Sequence, residues 1–151
     1  NISLGNSEVS LSEIEAAAKE IGVHDFIESL PGGYQFNVKE RGGMLSSGQR
    51  QLIAFLRAYV TKPSILVLDE ATSSIDSASE QLIQKATDTI TKGRTSIVIA
   101  HRLATIQKAS NILVMDAGVI VEQGTHEALL KKGGHYKNLY EAQFLSVAVV
   151  E

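Results

Sequence analysis

Residues 64–76 read SILVLDEATSSID. The run from Ile65 to Leu68 is continuously apolar and stops abruptly at Asp69-Glu70. A short run without alternation is the pattern of a strand buried on both faces of a parallel sheet. The stretch TSIVIA (95–100) repeats that pattern and stops at His101. Between the two lies SASEQLIQKATDTITKG, helical in its apolar spacing, with Gly93 as a stop. Strand, helix, strand in this order is the crossover unit of a parallel α/β sheet.

Upstream the texture is helical. LSEIEAAAKEIG (11–22) carries Leu11, Ile14, Ala18 and Ile21 at helical spacing, with Ser10 as N-cap and Gly22 as stop. HDFIESL is a second short helix, ended by Pro31-Gly32-Gly33, and residues 34–44 form a loop closed by Gly42-Gly43. A third helix runs from about Ser47 to Thr61, with Leu52, Ile53, Leu56 and Val60 on one side, and ends at Lys62-Pro63. Downstream, NILVMD (111–116) and VIVEQG (119–124) flank Ala117-Gly118, a hairpin turn, and helices follow near 125–132 and 135–145. The expected organisation is a helical portion over residues 1–62 and an α/β portion over 63–151.

Composition narrows the class. The 151 residues include 14 Lys+Arg against 17 Asp+Glu, a net charge of −3, so no basic surplus points to nucleic acid. Cysteine is absent, which excludes disulfides and thiolate metal sites. No apolar run approaches the roughly 18 residues of a membrane helix. The chain starts at Asn1 rather than Met, and is expected to be an excised segment of a longer protein.

Three places carry chemistry. Asp69 and Glu70 close a parallel strand, and ligands bind at that edge of open α/β sheets. An Asp there can hold Mg²⁺ through hard oxygen donors, and the neighbouring Glu can polarise an attacking water; alternatively the pair only caps the following helix. His101, at the end of a second strand, can donate to a phosphate oxygen or bind only backbone and water. The stretch LSSGQRQ (45–51) opens the third helix with Ser46, Ser47 and Gly48. A helix N-terminus leaves unpaired N–H groups and a positive dipole end, an anion site that small residues let a phosphate approach; the plain alternative is a serine N-cap.

Taken in order, LSSGQRQ, ILVLDEAT, SSID and IVIAHR resemble the ATP-binding cassette (ABC) ATPases. Leu45-Ser46-Ser47-Gly48-Gln49 is similar to the family's signature loop, with Ser47 where the family usually has Gly. Ile65 to Asp69 resembles the Walker B strand, Glu70 the general base, Ser73 to Asp76 the D-loop and His101 the switch histidine. ERGG resembles the loop that faces transmembrane coupling helices, with Glu40 as a candidate contact and Lys39 where the family more often has Gly. SLPGGYQ and GVIVEQGTHEALL are similar to the exporter branch. The phosphate-cradling pattern G-x-x-x-x-G-K-[ST] does not occur in the chain.

The resemblance implies a partial P-loop NTPase (RecA-like) parallel sheet with an attached α-helical signature subdomain. It implies ATP and Mg²⁺ as cofactors, with Asp69 on the metal, Glu70 and His101 catalytic, and Leu45, Ser46, Ser47, Gly48, Gln49 and Asp76 contacting nucleotide. A second nucleotide-binding domain would pair head to tail, so that Ser46 to Gln49 serve the partner's ATP. Transmembrane coupling helices would be the other partner, giving a place at the cytoplasmic face of the inner membrane through the transmembrane domain only. The fragment alone is expected to be inactive and to self-associate through exposed edges. The alternative reading is a non-transport ABC-type ATPase of DNA repair or translation.

Overall fold

The structure, a computed structural model, describes residues 2, 3, 5, 9–69 and 77–142. These fall into two compact units. The first runs to Leu68 and resumes from Ser77 to Val98; the second holds Asp69 and the residues from Ile99 onward.

In the first unit, α1 (Leu11–Ile21) is fixed at both ends. Ser10 accepts from the Glu13 amide while the Glu13 carboxylate accepts from the Ser10 amide, a reciprocal capping box, and Gly22 takes the left-handed conformation that ends the helix. After α2 (His24–Glu28) and two short 3-10 turns, Gly33–Gln35 and Glu40–Gly42, comes α3 (Ser47–Val60). α4 (Ser77–Thr91) then joins β1 (Ile65–Asp69) to β2 (Thr95–Ile99), which pair as neighbours in a parallel sheet. Three threonines inside or ending α4 return their hydroxyls to the preceding turn, Thr87 to Ile83 O (2.8 Å), Thr89 to Lys85 O (3.0 Å) and Thr91 to Thr87 O (2.8 Å). That bonding lets Thr87 lie buried at no polar cost. The core is one cluster in which Ile14, Ala18 and Ile21 of α1 meet Leu52, Phe55 and Leu56 of α3 and Ile83, Ala86 and Ile90 of α4.

β1 and β2 depart from the expectation of burial on both faces. Leu66 and Leu68 are buried in the helical cluster, but Ile65 and Val67 are 63% and 65% exposed and Ile97 and Ile99 are 58% and 54% exposed. Helices cover one face of the pair, and no described residue of the unit covers the other. A continuous apolar run registers that both faces are suited to burial, not that both have a partner.

The second unit is built on a hairpin, β3 (Ile112–Asp116) and β4 (Val119–Gly124), paired antiparallel. Ala117 and Gly118 both have positive φ (44° and 82°), the turn that matches strand twist in two-residue hairpins. The register shifts between Val114 and Met115, so that Val114 faces Glu122 and Met115 faces Ile120, with Val121 as the extra residue of a bulge. α6 (His126–Lys132) starts on the Thr125 side chain and stops at left-handed Gly133. α7 (His135–Tyr140) follows, and Val114, Leu129 and Tyr136 form the small core. The helix expected over 135–145 is α-helical to Tyr140 and continues as a π turn at residues 141–142, and its last three residues lie outside the described ones. α5 (Leu103–Lys108) was not expected: it is six residues long and its N-cap, Arg102, makes no capping side-chain bond.

α7 is seated by an acid from another element. The Glu122 carboxylate, on β4, accepts from the Tyr136 amide at 2.7 Å and pairs with Lys132 Nζ at 3.3 Å. It thereby serves as a cap for the first turn of α7, supplied across the fold rather than from the helix itself. The Tyr136 hydroxyl in turn meets His126 Nδ1 at 2.6 Å.

Candidate functional site

The first turn of α3 gathers Leu45, Ser46, Ser47, Gly48 and Gln49. Ser46 is the N-cap, in extended backbone (φ −65°, ψ 167°). Its Oγ accepts from the Gln49 amide at 3.2 Å, and Gln49 Oε1 accepts from the Ser46 amide at 2.9 Å. The two readings of this serine therefore coexist, because a hydroxyl that accepts here still has its own proton to donate. The next amide, Arg50, is used within the helix, bonding Ser46 O at 2.9 Å.

Two N–H groups of that turn are left over. Ser47 and Gly48 are the first two helical residues, and no intrachain acceptor meets their amides among the described residues. A 14-residue helix ending in two open N–H groups concentrates its dipole at this spot. The turn is also rigid. Leu45 is only 6% exposed, its side chain buried. Its amide donates to Gly42 O at 2.9 Å, and its carbonyl accepts from Arg50 Nη1 at 2.7 Å. Leu45 anchors the loop; Ser46 is exposed and Ser47 half-buried, while Gly48 is buried. Sequence reasoning missed Arg50; its signal was a cation four residues after the N-cap, close enough to reach back over the turn and add positive charge beside it.

The second group sits on the sheet. β1 ends at Asp69, and its parallel neighbour β2 ends at Ile99, two residues before His101. Both side chains are exposed at the carboxyl edge of the pair. An exposed, hard-oxygen carboxylate at that position fits a Mg²⁺ ligand, since this ion is usually held by one or two carboxylates with phosphate and water completing its shell. Glu70 and Asp76 lie outside the described residues. Glu40 is exposed within the second 3-10 turn.

Lys39, flanking that turn, has φ 59° and ψ −174°, a region populated almost only by glycine. The resemblance put glycine at this position, and the backbone keeps the glycine geometry although the side chain is present.

The family model described as ABC transporter matches residues 4–73. The chain is 59% identical over 130 residues to the ABC-type transporter MDR1 of Aureobasidium melanogenum, covering 86% of this chain and 10% of that protein. It is 52% identical over 144 residues to the ATP-dependent lipid A-core flippase of Saccharophagus degradans, covering 95% of this chain and 25% of the relative. The chain belongs to the ABC transporter family. Among solved structures, a bacterial Atm1-family ABC exporter with ATP bound superposes with a TM-score of 0.81 at 43% identity, over 95% of this chain and 25% of that one. The α/β sheet is therefore part of a P-loop NTPase-like ABC domain, and ATP is the ligand class of this family. This ABC chain spans a quarter or less of the length of these relatives.

Proposed function

We propose that this chain forms part of the ATP-hydrolysing domain of an exporter, with residues 1–62 carrying the signature turn and residues 63–151 carrying the Walker B strand, D-loop and switch histidine. The observation that carries the reading is the first turn of α3. It is locked by a capping box and a buried leucine, yet its Ser47 and Gly48 amides, the second on a buried residue, meet no acceptor among the described residues. Such a turn binds a phosphate without rearranging, which is the preorganisation that electrostatic stabilisation requires.

In this scheme Ser46, Ser47, Gly48 and Gln49 close over the γ-phosphate of ATP held by a second, head-to-tail nucleotide-binding domain. Asp69 holds Mg²⁺, which neutralises phosphate charge when bound. Glu70 takes a proton from the attacking water as its oxygen bonds to the γ-phosphorus and the bond to the ADP oxygen breaks, giving ADP and inorganic phosphate. His101 donates to a γ-phosphate oxygen, and Asp76, in the D-loop, contacts the nucleotide. ATP thus joins the two domains through its phosphates and hydrolysis releases them, and Glu40 passes the movement to a transmembrane domain at the cytoplasmic face of the membrane. Ser47 places a Cβ where the family usually has none, narrowing the approach to the phosphate.

The test is the Glu70→Gln variant of the intact protein that carries this chain. Turnover should fall to background while ATP-dependent pairing of the nucleotide-binding domains is kept or prolonged. Undiminished ATPase activity in that variant would remove Glu70 from its assigned role.

A further inference from the structure

α5 is separated from His101 by a single residue, Arg102, which is its N-cap. The helix is six residues long, and the cap makes no side-chain bond to its first turn. A helix this short takes its position from packing rather than from its own hydrogen bonds. Two adjacent residues link it to the rest of the second unit. Ile106 packs against the small core of Val114, Leu129 and Tyr136. Gln107 is exposed and sets its side-chain amide 3.5 Å from Nε2 of His126, the first residue of α6.

The other side of that imidazole is held. His126 Nδ1 meets the hydroxyl of buried Tyr136 at 2.6 Å. The ring lies edge to face with Tyr136, centroids 5.8 Å apart, and tilted against Tyr140 at 5.5 Å. Tyr136 is fixed in turn at its amide, which donates to Glu122 at 2.7 Å. A neutral imidazole has one donor and one acceptor, while the phenol and the side-chain amide can each serve in either sense. Both contacts are therefore kept whichever ring nitrogen carries the proton. His126 is a fixed post on α6 with one nitrogen turned to α5.

The contact reaches His101 through the backbone. The Arg102 carbonyl accepts from the Thr105 and Ile106 amides, both at 3.1 Å. A shift of Ile106 and Gln107 therefore carries Arg102 with it, and His101 is the next residue. We propose that Gln107 and His126 are positioning residues for His101: their contact biases where α5 sits, and α5 sets where the His101 imidazole stands at the sheet edge. The inference rests on the reading of His101 as donor to the γ-phosphate. One exposed contact at 3.5 Å does not hold the unit together. It is enough to choose among close placements of a six-residue helix, and a displacement of 1 Å at a reacting group can cost a hundredfold in rate.

The experiment is steady-state ATPase kinetics on the intact protein that carries this chain, with labelled phosphate release for the slow variants. The variants are Gln107→Ala, Gln107→Glu, His126→Phe, His101→Ala, and His101→Ala combined with Gln107→Ala. Gln107 is exposed and alanine is the better helix former, so Gln107→Ala should melt with wild type. Its kcat should fall about fivefold, the worth of one neutral hydrogen bond, with KM for ATP unchanged. Gln107→Glu keeps the reach and an acceptor for the ring N–H, and should turn over close to wild type. His126→Phe should show the same loss of kcat, joined by a loss of stability from the stranded Tyr136 hydroxyl. With His101 replaced by alanine, Gln107→Ala should add nothing, because a residue that acts through His101 has nothing left to place. The proposal is overturned if Gln107→Ala or His126→Phe turns over as wild type, if Gln107→Glu is as slow as Gln107→Ala, or if Gln107→Ala costs as much without His101 as with it. Wild-type turnover in His101→Ala would instead remove the reading of His101, and the proposal with it.

Discussion

Ser46 has two roles in this account, cap and phosphate donor, and two substitutions separate them. Ser46→Ala removes the acceptor for the Gln49 amide, which lies 3.2 Å from Oγ. Loss of an N-cap costs about 1 kcal/mol, and Ser46 is exposed, so water partly replaces the lost bond. In a chain of this size that lowers Tm by about 3 °C. Ser46→Asp keeps an acceptor, and its negative charge at a helix N-terminus contributes up to about 1 kcal/mol of its own. Its stability should equal or exceed wild type. Toward an incoming phosphate the order reverses. A carboxylate at roughly 4 Å opposes each unit of phosphate charge by about 4 kcal/mol at an effective dielectric constant of 20, close to a thousandfold in affinity. Ser46→Ala leaves the Ser47 and Gly48 amides in place and should retain part of the activity. Thermal melts, with ATPase rates measured on the intact protein, read the two orders. Wild-type turnover in Ser46→Asp would refute the placement of phosphate at this turn.

The other predictions concern the second unit. Gly134→Ala builds a Cβ that collides with Glu122 Oε1; overpacking of this kind costs about 1–3 kcal/mol, and hydrogen exchange in α7 should accelerate more than in α3. The Glu122 carboxyl is held below its usual range, first by the Tyr136 amide it accepts from and then by Lys132, against the opposing effect of burial. Its folded pKa therefore lies below its unfolded one, and its stabilisation of α7 is present above the ordinary carboxylate range and fades as pH falls through the lowered value; Glu122→Gln should flatten that acid dependence in amide exchange of Tyr136. Leu129, 1% exposed, should cost about 2–5 kcal/mol when changed to Ala, whereas Leu113, 51% exposed, should cost well under half as much, measured by urea denaturation.

Much of the fold was legible because local signals agreed with one another. α1 and α3 each announce themselves by a serine with Glu13 or Gln49 three residues on, and the structure forms both capping boxes. The hairpin followed from Ala117-Gly118 between two apolar runs. α5 was hidden because six residues hold too little periodicity and its N-cap is an arginine. The apolar runs at β1 and β2 said nothing about which face has a partner, since side-chain chemistry records what a surface tolerates and not what covers it. The signature turn was legible as residue types at a helix start; its two open amides were not, because they depend on which donors the capping box uses up. The left-handed backbone at Lys39 and Arg41 had no signal of its own in residue type, as neither is the glycine or asparagine that such geometry favours.

The most direct test of the central claim is a structure of the intact protein with Glu70→Gln, bound to ATP and Mg²⁺. The account predicts that the Ser46 hydroxyl and the Ser47 and Gly48 amides lie about 3 Å from phosphoryl oxygens of a nucleotide held by the facing domain. A γ-phosphate held by its own domain alone, with the first turn of α3 turned to solvent, would contradict it.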